Sequence, residues 1–467
     1  MKTNIYIKTI LLLITLSLIF SCDKWIDPDI NIDPDSPEYV TMDLLLASSQ
    51  VSMAYVLGGI NITGVTSMWM KYIEGFDRQT LQINNYIFLE KDVNNQWTSI
   101  YTTLKDLKLI TELSQEEGKE SPHYEGIAKI LMAFTFGTAT QLWGDIPFSE
   151  ALQGDAELNP AYDSQEYVYT GIQQLLDEAI IALNIDEDSN YYDIEGDLIY
   201  ESDIEKWKKA AYTLKLRYYL HLSKVNNNAY STIVNMYNED SLRFFTSNED
   251  DLELYFGKNE TEQNPMFQFD EDRTDCVSHP YFDSLQASKQ PAIREYTPQS
   301  IWPVYLIAGD NEPFAGTFYG ERESPVTFIS YAELQFIIAE ARLKQQDSIL
   351  ALSSLKKGVL AFLEKLTSET DIPIDYFGWM YEYQYQIIDR LDNYDQKIEE
   401  IMTQKYIATF LNPEAFVDWR RTGYPVGIEK PSRTLPRRFP YSSEERLYNQ
   451  NIPATSSIFA RNWFDPE

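Results

Sequence analysis

Apolar residues recur along most of this chain at alternating intervals of three and four, the spacing that gathers them on one face of a helix. Val168, Ile172, Leu175, Ala179 and Leu183 follow it, behind an Asp163–Glu166 pair that reads as a capping box. Trp207, Ala211, Leu214, Tyr218 and Leu222 repeat the pattern, as do Tyr331, Leu334, Ile338 and Ala341, with Ser330 and Glu333 as a second capping box. Ile127, Leu131, Phe134, Thr138 and Leu142 mark a helix that should stop at Gly144. Further helices are expected at about 41–57, 92–115, 348–366 and 396–411. Stretches without this period lie at 58–91, 185–203, 243–329 and 412–467 and are rich in Gly, Pro, Asn, Asp and aromatics. The longest carries strand-like runs at Leu252–Phe256 and Val326–Ile329. Adjacent helices predict antiparallel pairs. No clean repeat of about 34 residues is present, so the period alone does not define a tetratricopeptide array.

The first residues follow a different pattern. Lys2 and Lys8 precede an apolar run from Ile10 to Phe20 that halts at Ser21-Cys22. The run is shorter than the roughly 20 residues a bilayer span needs. A charged start, a short apolar stretch and a small residue before a cysteine read as a lipoprotein signal over 1–21, with Cys22 acylated after cleavage. Residues 22–40 are acidic and punctuated by Pro28 and Pro34, which suits an extended tether, and 41–467 are expected to form one domain. Asp27, Asp29, Asn31, Asp33 and Glu38 fall near calcium-loop spacing, but Ile32 stands where that loop needs Gly, so no metal is assigned. No second apolar run reaches spanning length in the sequence, so the lipid is expected to be the sole anchor.

Losing 1–21 removes Lys2 and Lys8 and no acid, which takes the net charge from −34 to −36. A chain this acidic repels phosphate backbones, and nucleic acid is not an expected partner. Its 44% hydrophobic content still builds a large core. With Cys22 acylated, Cys276 is the remaining thiol and no disulfide is expected. No phosphate loop, G-x-G-x-x-G, G-x-S-x-G, H-E-x-x-H or C-x-x-C occurs, and His123, His221 and His279 have no ligand spacing. No cofactor and no catalytic residue is assigned. Carboxylate pairs able to cut a glycosidic bond would arise by chance among 72 acidic residues, so a surface glycoside hydrolase stays as an alternative.

Four segments carry a resemblance: Gln141–Ala151 (with Trp143-Gly144-Asp145-Ile146-Pro147), Lys206–Arg217, Tyr331–Ala341, and Phe416–Pro425 (with Asp418-Trp419-Arg420-Arg421-Thr422-Gly423) followed by Leu435–Tyr441. In this order, behind a lipoprotein signal, they resemble the SusD/RagB family of outer-membrane lipoproteins. Gln290–Arg294 departs from the Asp-Pro-Arg that the family often carries there. The resemblance implies a mainly α fold of tetratricopeptide-like helix pairs with a loop-rich irregular portion. It also implies a non-enzymatic nutrient-binding lid on a SusC-like TonB-dependent transporter, taking oligosaccharides or, alternatively, peptides. A purely structural scaffold is the remaining reading. Trp97, Trp143, Trp207 and Trp419 are expected in the core, and Arg420 and Arg421 are expected to pair with acidic neighbours.

A sugar presents apolar C–H faces and a hydroxyl rim, so its site needs an exposed ring with amide, carboxylate or guanidinium groups beside it. Three clusters have that composition. Trp69, Tyr72, Asp77, Arg78, Asn84, Asn85 and Tyr86 form the first. Trp302, Tyr305, Asp310, Asn311, Phe318, Tyr319 and Arg322 form the second. The third is Tyr376, Phe377, Trp379, Tyr381, Tyr383 and Tyr385. The resemblance favours the first two, with Trp69 and Trp302 as the stacking rings.

Overall fold

The computed structural model describes residues 40–272, 275–289, 319–368, 385–429, 434–454 and 457–467. Among these, Met42–Glu467 packs as one body built mainly of helices. They are α1 (Met42–Gly58), α2 (Val65–Trp69), α3 (Arg78–Asn84), α4 (Asn94–Leu113), α5 (Pro122–Trp143), α6 (Gln165–Leu183), α7 (Ile204–His221) and α8 (Ala229–Glu239). Then come α9 (Pro265–Asp272), α10 (Pro280–Lys289), α11 (Tyr331–Lys344), α12 (Ser348–Ser368), α13 (Tyr394–Ala408), α14 (Glu414–Thr422) and α15 (Ser443–Tyr448). Consecutive helices pack as neighbours: α4 on α5, α5 on α6, α6 on α7, α7 on α8 and α11 on α12. This is the mainly α, paired-helix architecture that the apolar period and the resemblance predict.

Helix α5 lies at the centre, and every residue from Ile130 to Trp143 is buried. A helix apolar on all sides has to be enclosed. Its Gly137 admits the ring of Tyr218 from α7, where a Cβ would collide. It ends at Gly144, whose φ of +83° needs glycine. The caps differ in detail from expectation. Ser164, not Asp163, caps α6 by accepting from Tyr167 N–H. Ser330 does cap α11, but the Glu333 side chain is drawn away to Arg217 instead of closing a capping box.

The stretches expected to be irregular hold short elements of their own. Strand β1 (Ile73–Gly75) pairs antiparallel with β5 (Cys276–Ser278), β2 (Ile146–Pro147) with β3 (Tyr162–Asp163), and β4 (Leu252–Leu254) with β6 (Val326–Ile329). The last pair realises both strand-like runs, with a bulge at Leu252/Glu253. The strands of the first two pairs are two or three residues long, too short to show an alternating period. Met42–Trp69 corrects a further expectation. By length and composition alone it could cross a membrane. Leu45, Leu46, Met53, Met68 and Trp69 nevertheless pack inside the core, as in the central helices of many compact proteins.

Two knots hold the helices together. In the first, Arg217 of α7 donates to Glu333 of α11 (2.8 Å), and His221 Nε2 lies 2.8 Å from Glu414. Lys405 of α13 sits 2.7 Å from Asp418, and Arg421 grips Glu340 in a fork and Asp418 at 2.7 Å. All of these side chains are buried. Burial works to raise the Glu414 carboxyl, but His221, Arg217 and Lys405 outweigh it and hold it at about 2. Burial pushes His221 down against the pull of Glu414. The ionised Glu414 can only accept, so Nε2 carries the proton of the neutral ring and Nδ1, 3.1 Å from Tyr169 OH, accepts from that hydroxyl. The second knot is aromatic. Trp69 meets Phe88, Phe416 and Phe439 edge to face at 5.7, 5.4 and 5.3 Å, and Trp143 meets Phe439 and Trp97 at 5.4 Å each.

Candidate ligand-binding site

The structure divides the first cluster between inside and outside. Trp69 and Tyr72 have no exposed surface, so they are core residues and not stacking platforms. Tyr72 stacks on Tyr406 with centroids 4.3 Å apart and donates to its carbonyl, while Tyr406 OH donates to the Met70 carbonyl (2.7 Å). This exchange ties the end of α2 to α13. Asn84 and Tyr86 are also buried. Asp77 and Arg78 remain outside, at the start of α3, where Asp77 accepts from Arg78 N–H (2.8 Å). Arg78 holds a φ of +48°, a backbone region that non-glycine residues seldom occupy.

The exposed ring at this corner is Phe76, with 44% of its surface open. It stands directly before Asp77, and α3 presents Arg78 and Gln82 one turn apart on its exposed side. Ring, carboxylate, guanidinium and amide therefore occur along one short strip, the composition that a sugar-binding surface requires. Phe76 stood outside the sequence clusters because its exposure is set by where β1 ends and not by composition. The available signal was the β1 pattern, in which Ile73 and Gly75 face inward and Phe76 leaves the strand.

Of the second cluster, Tyr319 and Arg322 are described, and Trp302, Tyr305, Asp310, Asn311 and Phe318 lie outside the described residues. So do Tyr376, Phe377, Trp379, Tyr381 and Tyr383 of the third, and Cys22 and the 27–38 acidic run. Tyr319 is half-buried and packs edge to face on Phe410 at 4.9 Å. Tyr72 packs on the same ring at 5.2 Å, so Phe410 joins the first cluster to the second. Arg322 is exposed, with its guanidinium 5.2 Å from the Phe267 ring centroid, and its carbonyl accepts from Asn264 N–H (2.9 Å). Beneath Tyr319 runs an internal cleft of about 80 Å³ lined in part by Phe410, Arg217, Glu333 and Glu414. That volume suits a few water molecules; small-molecule pockets start near about 300 Å³.

The residues of the C-terminal motif all turn inward. On α14, Phe416 and Arg420 share one face, and Glu414, Asp418 and Arg421 share another. Arg421 pairs with acids as expected. Arg420 does not: it donates to the carbonyls of Gln141 (2.7 Å) and Arg437 (2.8 Å), between the rings of Phe416 and Phe464. It thereby satisfies an open carbonyl at the end of α5, where a cation is favoured. Burial pushes its guanidinium down to about 10. Trp143, Trp207, Trp97 and Trp419 are all buried, as expected; their indole N–H groups include donors to Pro440 O (2.7 Å, Trp143) and Asp197 (2.8 Å, Trp207).

The chain belongs to the SusD-like family described as starch-binding and associating with the outer membrane, whose profile matches residues 34–442. Similar solved structures include a SusD/RagB family protein from Bacteroides thetaiotaomicron. It is 23% identical, covers 88% of this chain and 95% of its own, and has a TM-score of 0.73. A chitin-binding protein is 22% identical over 91% of this chain and all of its own (100%), with a TM-score of 0.74. A chitin-binding SusD homolog from Flavobacterium johnsoniae is 20% identical over 90% and 97%, with a TM-score of 0.70. No curated protein matches the chain.

Proposed function

We propose that this protein is a cell-surface lipoprotein, held on the outer membrane through acylated Cys22, that captures oligosaccharides and passes them to a SusC-like TonB-dependent transporter. It binds its ligand without turning it over. The observation that carries this reading is the family match over residues 34–442. The chitin-binding structural neighbours and the lipoprotein signal at Ser21-Cys22 add to it. Contact with ligand is assigned to Phe76, Asp77 and Arg78 on one side and to Tyr319 and Arg322 on the other, with Trp302, Tyr305 and Asn311 completing the second cluster. Trp69, Tyr72 and Asn84 support this surface from below.

The test is a binding screen of purified protein against starch, chitin and other polysaccharides, with a peptide panel alongside. Oligosaccharide binding that falls about tenfold in Phe76→Ala at unchanged melting temperature is the expected result. Binding of peptides alone would replace the ligand class, and release of reducing sugar from any polysaccharide would overturn the non-enzymatic reading. Cys22→Ala should move the protein into the soluble fraction, because firm anchoring rests on the acyl chains. Gentle extraction of the wild type should bring down a large barrel protein, and repeated recovery of a lone monomer would count against a transporter partner.

A further inference from the structure

One corner of the molecule holds more cations than its acids account for. The chain carries 72 Asp and Glu against 38 Lys and Arg, so carboxylates outnumber cations nearly two to one. Around the C-terminal turn that ratio reverses. Asp465, fully buried, accepts from Lys224 (3.0 Å), Arg437 (2.8 Å) and Arg461 (3.0 Å). Beside Arg437 lie Arg420 and Arg438, both buried and both donating to backbone carbonyls. Among the described residues, Asp465 is the one carboxylate within ion-pair distance of any of these five side chains.

Clamping the chain end does not explain the surplus. One carboxylate cancels one of the three cations that touch it, and the remaining like charges repel each other. The excess is also open to solvent. Lys224 and Arg461 are exposed, and Arg437 is half-buried. Arg461 uses Nη1 alone for both Asp465 and the Pro466 carbonyl, and its Nε and Nη2 have no hydrogen-bond partner among the described residues. Lys224 gives two of its three N–H groups to Asp465 and to the Pro466 carbonyl (2.8 Å) and keeps one free. Phe459 and Trp463, each two residues from Arg461, expose 40% and 38% of their surface.

We infer that this corner binds a doubly charged oxyanion, a phosphate group either carried on a lipid or free in solution. The open edge of Arg461, Nε with Nη2, is a planar fork that meets two phosphate oxygens at once, and Lys224 supplies a further donor. Three cations less one carboxylate leave a surplus of two positive charges, which matches a phosphate dianion. Arg437 adds its charge from behind, its guanidinium 4.5 Å from the Trp419 ring centroid. The exposed rings of Phe459 and Trp463 suit the apolar part of a phosphate-bearing lipid at a membrane interface. Screening over about 8 Å keeps the acidic remainder of the surface from cancelling an attraction made at contact.

The test uses the full acylated chain in neutral detergent at low salt, read by phosphorus NMR. Inorganic phosphate and dihexanoyl phosphatidic acid are the doubly charged probes, and dihexanoyl phosphatidylcholine, neutral overall, is the control. Binding of both charged probes shows that the phosphate group is enough. Binding of phosphatidic acid alone assigns the site to a lipid headgroup, and binding of phosphate alone assigns it to the free anion. Affinity should fall about tenfold in Arg461→Gln and in Lys224→Gln, the loss expected for one charged hydrogen bond. Arg461→Lys keeps the charge beside Asp465 and loses the fork. It should bind about threefold more weakly at unchanged melting temperature, and it reads the site even where the glutamine variants loosen the chain end. Lys258→Gln, which alters an exposed lysine paired with Glu323, should bind as the wild type does. Silence from both charged probes overturns the inference, as does phosphatidylcholine binding as tightly as phosphatidic acid. Wild-type affinity in both glutamine variants overturns it too, and so does an equal loss in Lys258→Gln.

Discussion

The ionic knot and the aromatic knot meet on one helix and hold the protein by opposite means. On α14 the Glu414, Asp418 and Arg421 face enters the ion network, while Phe416 and Arg420 enter the ring cluster. Rings gain from area and edge-to-face geometry and tolerate an imperfect partner: Trp69 keeps three ring contacts although its indole N–H has no hydrogen-bond acceptor among the described residues. Buried charges tolerate nothing of the kind, because a lost partner leaves a charge without solvent. The ionic side should therefore be brittle and pH-sensitive, and the aromatic side indifferent to pH.

The largest effect is expected from Arg421→Met. It leaves Glu340 without its cation and Asp418 with Lys405 alone, and should cost about 3–5 kcal/mol by chemical denaturation. Adding Glu340→Leu should restore a good part of that loss. A double variant no better than the single one would mean that the stranded Glu340 charge is not the source of the loss. Trp69→Ala should cost slightly less within a similar range, about 3–5 kcal/mol, since no hydrogen bond goes with the ring. Unchanged melting with lost ligand binding would return Trp69 to the surface and undo the division of the first cluster.

Acid should separate the two knots next. His221 and Glu414 both have folded values below their ordinary 6.5 and 4.5. A depressed folded value contributes stability above the unfolded value, and that stability is lost as pH falls through the folded one. Stability should start to drop below pH 6.5, as unfolded histidine gains a proton, and drop further from 4.5 towards 2 as Glu414 is titrated. Asp251 runs the other way: raised to about 7, it weakens the fold as pH climbs from 3.8 towards 7. Urea midpoints against pH should show a shallower acid limb for Glu414→Gln than for the wild type. The same limb in Trp69→Phe should match the wild type, and a shallower one there would contradict the contrast. The smallest effect is at the edge of the ionic knot, where Ser330→Ala removes the α11 cap and should cost about 1 kcal/mol, read as a small drop in melting temperature.

The motifs that revealed the family are the residues buried deepest, and the residues assigned to ligand are the ones no motif marks. Trp143, Trp207, Asp418 and Arg421 hold helices together, so their spacing is tied to the fold and could be read along the chain. Phe76 and Arg78 carry no such tie. Trp69 and Phe76 look alike in sequence, each an aromatic in a stretch without helical period. They differ because Trp69 ends α2 facing Phe416 and Phe439, whereas Phe76 follows β1 into solvent.

The sequence by itself determined the long helices, the cap at Ser330, the stop at Gly144 and the family, since period, caps and helix breakers are local and act within a few residues. Tertiary structure decided which rings face inward, that Arg420 serves backbone carbonyls and not an acid, and where β1 finds β5. Burial and ion pairing are settled by partners hundreds of residues away, and a one-dimensional pattern carries no record of which distant side chain will arrive.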